Sequence, residues 1–161
     1  ILSAHPDDVD ALAYKAAALV GLKRFEEAAA VYERAAELFV RLGVRDQTVL
    51  GLEINRAVAL TQLDRDEEAL RLFAQLERDC GRRGFKLLEA QVRMNAAYVH
   101  ALRGDYDLAL AQLAPATAYF RETDHPACLG NCLSNQAEIY QRLANLAGYR
   151  FNPYVVQDQF R

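Results

Sequence analysis

Three tetrapeptides share an asparagine at their second position and an alanine at their fourth: Ile54-Asn55-Arg56-Ala57, Met94-Asn95-Ala96-Ala97 and Ser134-Asn135-Gln136-Ala137. Their asparagines follow one another at intervals of forty residues. A second set alternates with the first, and its alanines are spaced by 41 and then 40 residues: Phe25-Glu26-Glu27-Ala28, Asp66-Glu67-Glu68-Ala69 and Tyr106-Asp107-Leu108-Ala109. A fixed internal period of this length predicts an array of stacked units, here with two halves each.

Both halves of the repeat have the apolar spacing of helices. Apolar residues recur at steps of three and four, as in Leu70, Phe73 and Leu76, and strand-like alternation is absent. The spacing predicts helices at 8–21, 25–42, 46–62, 66–80, 86–102, 106–122 and 126–144. Helix stop and start signals occupy the breaks between them: Gly43, Asp46, Gly81, Gly84, Gly104, Asp105 and Asp124-His125-Pro126.

Composition limits the class of protein. The 161 residues are 52% hydrophobic and 25% charged, which is typical of one globular domain. A net charge of -3, spread along the chain, leaves no basic face for nucleic acid. No apolar run is long enough to span a membrane and no signal peptide is evident, so we expect a cytoplasmic protein. Because the chain starts at Ile1, we also expect it to be a fragment of a longer protein.

The repeat resembles the tetratricopeptide family, in the long variety of about forty residues found in bacterial signalling proteins. The family places small residues where its two helices approach closely, and aromatic residues at the start of the second helix and further along it. The matching residues here are Ala57, Ala97, Ala137, Ala28, Ala69, Ala109, Phe25, Tyr106, Tyr32 and Phe73. The resemblance covers about residues 8–145 and implies an all-α fold, a right-handed α-α superhelix of antiparallel helix pairs.

The resemblance also implies the domain organisation, with some departures from the family pattern. It implies a single array over 1–161, with repeats at about 8–43, 46–83, 86–123 and 126–161. The repeats are longer than the 34 residues usual in the family. Val40, Gly81 and Arg121 stand where the family has the proline that closes each repeat. Tyr149 stands where the other repeats have alanine, so the last repeat is expected to be irregular: a cap, a truncated repeat or a tail over the groove.

In this family the first helix of each repeat lines a concave groove, which implies that the chain binds an extended peptide or a helix of another protein. An asparagine amide offers one acceptor and two donors, so Asn55, Asn95 and Asn135 could hold the main chain of such a peptide. The alternative is that these amides orient neighbouring helices within the array. The candidate peptide-binding residues are Asn55, Asn95, Asn135, Tyr14, Val58, Gln62, Gln91, Tyr98, Asn131, Glu138 and Arg142.

Metal binding and catalysis are the weaker interpretations. His125, Cys128 and Cys132 have a spacing that would put three zinc ligands on one helical face, but one repeat earlier Leu88 and Val92 take the two cysteine positions. The register therefore predicts that the cysteines pack as small apolar residues. His100 aligns with Leu60 and Tyr140 and is likewise expected to pack. Neither a nucleophile with a base nor a phosphate-binding loop is evident, so we expect no enzyme activity and no cofactor.

Three functional interpretations remain open at this point. The first is an adaptor that binds a segment of another protein in the groove. The second is a sensing arm of a larger signalling or transcription-regulating protein, in which ligand binding alters the array. The third is a structural array that self-associates through its ends.

Overall fold

The computed structural model describes residues 6–44 and 46–147, and these ranges contain helices and no strands. The helices are α1 (Pro6–Gly21), α2 (Phe25–Arg41), α3 (Gln47–Thr61), α4 (Asp66–Arg83), α5 (Lys86–Arg103), α6 (Tyr106–Glu122) and α7 (Pro126–Leu146). Each corresponds to a predicted helix, with ends that differ by three residues at most, so the all-helical fold is confirmed. Within the described part of the chain, no helix is both long and apolar enough to cross a membrane.

The helices form two layers of unequal spacing. Every helix packs against the next along the chain, from α1 against α2 to α6 against α7. The odd-numbered helices, called first helices below, also contact one another, α3 with α5 and α5 with α7. The even-numbered helices, called second helices, share no contacts of comparable extent with each other. The first helices α3, α5 and α7 are therefore closer to one another than neighbouring second helices are, whereas α1 and α3 share no contact of this extent.

The six described turns between helices share one backbone motif. Each has a single residue in the left-handed conformation, and the N–H of the next residue bonds to the carbonyl five residues earlier. This is the Schellman arrangement, which satisfies carbonyls at a helix end that would otherwise lack a partner. The left-handed residues repeat at steps of 41 and 40 within each kind of turn: Lys23, Asp64 and Gly104 after first helices, and Gly43, Gly84 and Asp124 after second helices.

Two helix ends show how the turn signals act. Asp46 precedes α3, and its carboxylate accepts a hydrogen bond of 2.8 Å from the Thr48 N–H, which lowers the pKa of Asp46. The predicted end of α4 at residue 80 is three residues too early. Gly81 stays within the helix, whereas Gly84 has the positive φ that ends it, so α4 continues to Arg83.

The second helices bury the same stripe of four positions in every repeat. The positions follow one another at steps of four, three and four, which places them on one helical face. They are Ala28, Tyr32, Ala35 and Phe39 in α2, Ala69, Phe73, Leu76 and Cys80 in α4, and Ala109, Leu113, Ala116 and Phe120 in α6. None is more than 9% exposed, so these stripes form the core against the first helices.

The burial of the small residues of the first helices depends on whether a second helix follows. Ala57 in α3 and Ala97 in α5 are fully buried. Ala137, at the same position of α7, is exposed because no described helix follows to cover it. The expectation of an irregular last repeat concerns residues 148–161, which lie outside the described residues.

The contrast between Ala97 and Ala137 gives a test of the repeat packing. We expect Ala97→Leu to lower the free energy of unfolding by about 1–3 kcal/mol, because the added carbons have no space in the contact. The same change at the exposed Ala137 is expected to alter it by no more than about 0.5 kcal/mol. Urea denaturation of both variants measures the difference, and equal losses would contradict this assignment of covered and open positions.

Candidate functional site

The predicted asparagines lie on one side of the first helices. Asn55, Asn95 and Asn135, called the asparagine column, occupy the same position of α3, α5 and α7. Asn95 and Asn135 are half-buried and Asn55 is exposed. None of the three amides has a side-chain hydrogen bond to another described residue.

A cavity of about 220 Å³ opens between α3 and α5 beside Asn95. It is called the α3–α5 cavity, and its lining consists of Val58, Thr61, Gln62, Phe73, Asn95 and Tyr98. Phe73 is only 1% exposed and forms the floor, together with Thr61, whose hydroxyl already donates to the Ala57 carbonyl at 3.1 Å. The amides of Gln62 and Asn95 supply hydrogen-bonding groups to an otherwise mainly apolar lining.

A second, much smaller cavity of about 10 Å³ lies between α5 and α7 beside Asn135. Its lining consists of Tyr98, Ala101, Leu102, Asn135, Glu138 and Arg142. Glu138 and Arg142 form an ion pair at 2.6 Å, and this contact is the largest cause of the raised pKa of the Arg142 guanidinium. This α5–α7 cavity therefore contains charges that neutralise each other.

The structure gathers seven of the eleven candidate residues around these two cavities. Val58, Gln62, Asn95, Tyr98, Asn135, Glu138 and Arg142 line one or both of them. The other four, Tyr14, Asn55, Gln91 and Asn131, line neither cavity, and Tyr14 is 77% exposed. Sequence reasoning missed Thr61, Phe73, Ala101 and Leu102. The repeat register could have found Leu102, because it lies forty residues after Gln62.

The opposite side of α3 and α5 carries charged side chains. Residues 49 and 53 of α3 lie on the face turned away from the asparagine column, as do 89 and 93 of α5. Glu53 pairs with Arg56 at 3.2 Å, and Arg93 pairs with Glu89 at 2.9 Å. Burial raises the pKa of Glu53, although Arg56 partly offsets the effect. Cavities of about 440 and 150 Å³ on this side are thus bordered by paired charges.

The residues of the candidate zinc site have other partners. The His125 ring stacks on Tyr119 at 6.4 Å and meets the edge of Phe120 at 6.1 Å. Cys132 is buried, and burial raises the pKa of its thiol, with a smaller opposing effect from Thr117. Among the described residues, no three His, Cys, Asp or Glu side chains come together as metal ligands would.

His100 lies near the turn between α5 and α6. Its Nδ1 is 3.7 Å from a carboxylate oxygen of Asp105, and 19% of its side chain is exposed. The position corresponds to the buried Leu60 of α3, so His100 lies where the preceding repeat has a core residue. It lines neither of the two cavities.

Comparisons with known protein families and curated proteins found no match. No protein-family model matches the chain, and no curated protein is similar to it in sequence. The interpretation of the two cavities therefore rests on their own residues.

The cysteines provide a test of the packing around the site. Burial raises the pKa of the Cys80 thiol to about 11, so almost none of it is the reactive thiolate at pH 7.5. Cys80 and Cys132 are buried and Cys128 is half-buried. We expect iodoacetamide to alkylate Cys128 at least about tenfold faster than the other two, as read by peptide mass spectrometry. The three rates should converge in urea, and equal rates in the native protein would contradict the described packing.

Proposed function

We propose that the chain is a tetratricopeptide-like array that binds an extended segment of another protein along its first helices. The first helices α3, α5 and α7 contact each other while second helices are further apart, which supports an array curved toward the first helices over this part of the chain. The asparagine column and both cavities then lie on the concave side. The right-handed superhelix implied by the family resemblance would extend this side along the array.

The observation that carries the proposal is the state of Asn95 and Asn135. Both amides are half-buried, neither is hydrogen-bonded to another described side chain or main chain, and each borders a cavity between first helices. A partly buried amide that lacks a protein partner gains when a ligand supplies one. The N–H and C=O of an extended peptide match both its donors and its acceptor.

The chemistry of this side favours a peptide over other ligands. The two linings contain one acidic and one basic residue, Glu138 and Arg142, which pair with each other. A phosphate backbone would need several unpaired cations, which these linings do not offer. Some adaptors of the family clamp a terminal carboxylate with lysine and arginine side chains of their first helices. The corresponding positions here are Tyr14, Gly51 and Gln91, none of which is basic. A segment bound through its uncharged main chain fits these residues best.

The proposal predicts the effect of removing the column. A library of random dodecapeptides displayed on phage is selected on the immobilised chain, and the enriched peptides are synthesised for titration by fluorescence anisotropy. Changing Asn55, Asn95 and Asn135 together to alanine is expected to weaken their binding about 100-fold, because each amide hydrogen bond contributes about 1 kcal/mol. Helicity and the melting temperature are expected to stay almost unchanged.

A matched control removes three amides elsewhere on the described surface. Gln47, Gln75 and Gln141 are exposed and lie outside the column, so their joint change to alanine should leave binding intact. A large fall in melting temperature for the asparagine variant would show that the column is structural. Equal peptide binding by all three proteins would place the binding site elsewhere and contradict the proposal.

A second candidate function, self-association, is favoured by the exposed face of α7. Leu133 is 44% exposed and Tyr140 is 59% exposed, whereas Leu60, which matches Tyr140, is 4% exposed. Ala137 lies between them on the same face. An apolar helix face of this kind can pair with the same face of a second copy.

Sedimentation velocity tests this candidate. If two copies pair through α7, Tyr140→Glu is expected to raise the dimer dissociation constant at least about tenfold, because the carboxylate would lose its hydration in the contact. Leu108→Glu is the control, because Leu108 is similarly exposed at 55% but lies on α6. A monomer at all concentrations, or an equal effect of both changes, would exclude pairing through this face.

A further inference from the structure

The α3–α5 and α5–α7 cavities occupy equivalent positions in successive repeats. Three residues that line the first cavity have equivalents forty residues later that line the second. The pairs are Val58 and Tyr98, Gln62 and Leu102, and Asn95 and Asn135. The floor residue Phe73 becomes Leu113, which is fully buried. The backbone around the two sites is repeated as well, since the turns and the buried stripes follow the same register.

The open and the closed site differ in the side chains at equivalent positions, and two of the differences add bulk to the closed site. Where α3 has Val58 and Gln62, α5 has Tyr98 and Leu102. Tyrosine is much larger than valine, and leucine adds a branched apolar group where glutamine has a flexible polar one. The cavity volume is about 220 Å³ between α3 and α5 and about 10 Å³ between α5 and α7, where Arg142 also belongs to the lining.

The open cavity has the size of one side chain. An apolar cavity of about 150 Å³ is enough to hold benzene, whereas pockets for cofactors and drug-sized ligands are about 300–1,000 Å³. None of the six lining residues is charged. A lysine or glutamate side chain inserted there would lose its hydration without gaining a partner, while leucine, methionine or phenylalanine would lose only unfavourable contact with water.

We infer that the α3–α5 cavity is an anchor pocket for one bulky apolar side chain of the bound segment, an inference that rests on the proposed function. The inserted side chain packs between Val58 and Tyr98 on the Phe73 floor. The amides of Gln62 and Asn95 bond to the main chain of the segment beside it. One repeat further on, Asn135 holds the main chain where no pocket is open for a side chain.

The experiment closes the pocket with the residue that the chain itself uses one repeat later. Val58→Tyr places at residue 58 the side chain that Tyr98 has one repeat later. The binding of two peptides is measured on the wild-type chain and on Val58→Tyr: a selected dodecapeptide, and the same peptide with its apolar anchor residue changed to alanine. On the wild-type chain, the anchor-to-alanine change is expected to weaken binding about 10- to 100-fold, in line with burial of one large apolar side chain. On Val58→Tyr, the same change should alter binding less than about twofold, so that the two changes are coupled.

Two further variants control for effects on folding. Val49→Tyr makes the same substitution on the opposite side of α3, where Val49 borders a wide cavity of about 440 Å³, and should leave peptide binding unchanged. Gln62→Leu copies Leu102 and narrows the pocket from its rim, so it serves if Val58→Tyr lowers the melting temperature. Circular dichroism of each variant shows whether its helices are intact.

The outcomes separate this inference from the proposed function. Peptides that need the asparagine column but show no coupling to Val58→Tyr would overturn the anchor pocket and leave the proposed function standing. Peptides selected for charged residues, with no apolar position in common, would also overturn it. Failure of the wild-type chain to enrich any peptide would overturn both. A peptide affinity that falls as the protein concentration rises would put a second copy, and not a peptide, in the pocket.

Discussion

Packing at buried alanines, where a first helix meets the second helix that follows it, is the central constraint of this structure. Ala57 and Ala97 are fully buried in first helices, and Ala69 and Ala109 are fully buried in the second helices that follow them. A side chain of one carbon lets two helix backbones come together, and a larger one would force them apart. Because Val58 directly follows Ala57, the contact that buries the alanine also turns the next side chain toward the neighbouring first helix. The cavity is thus positioned by a packing contact on another face of the same helix.

Ion pairs connect two of the first helices, α3 and α5, to the second helix before each of them. Arg56 of α3 reaches Glu33 of α2 at 2.6 Å, and Arg93 of α5 reaches Glu77 of α4 at 2.9 Å. Partly exposed pairs of this kind contribute at most about 1 kcal/mol each, so packing and not charge holds the array together. These pairs join helices without any amide of the asparagine column.

The sequence predicted the helices well because the repeat supplied each boundary more than once. Local signals placed helix ends less accurately than the repeat did. Gly81 predicts the end of α4, whereas the helix continues to Arg83 and the backbone turns at Gly84. The left-handed residues Lys23 and Asp64 carry no glycine signal at all, and only the Schellman hydrogen bonds reveal them. For the site, the register predicted which face of the first helices carries the column. It could not predict an open cavity beside Asn95, because that volume depends on side chains from three helices, including the core residue Phe73.

An array built on one register separates affinity from selectivity. The asparagines recur in every described first helix after α1, so under the proposed function their bonds to a main chain would add up along the array and would not depend on the sequence bound. The pocket linings do not recur, since the backbone that leaves a cavity open beside Val58 closes it beside Tyr98. Discrimination between bound segments would then come from one pocket and would amount to the burial of one side chain, a factor of about 10 to 100. An array of this kind would bind many segments that share a single apolar residue, and further selectivity would require another open pocket.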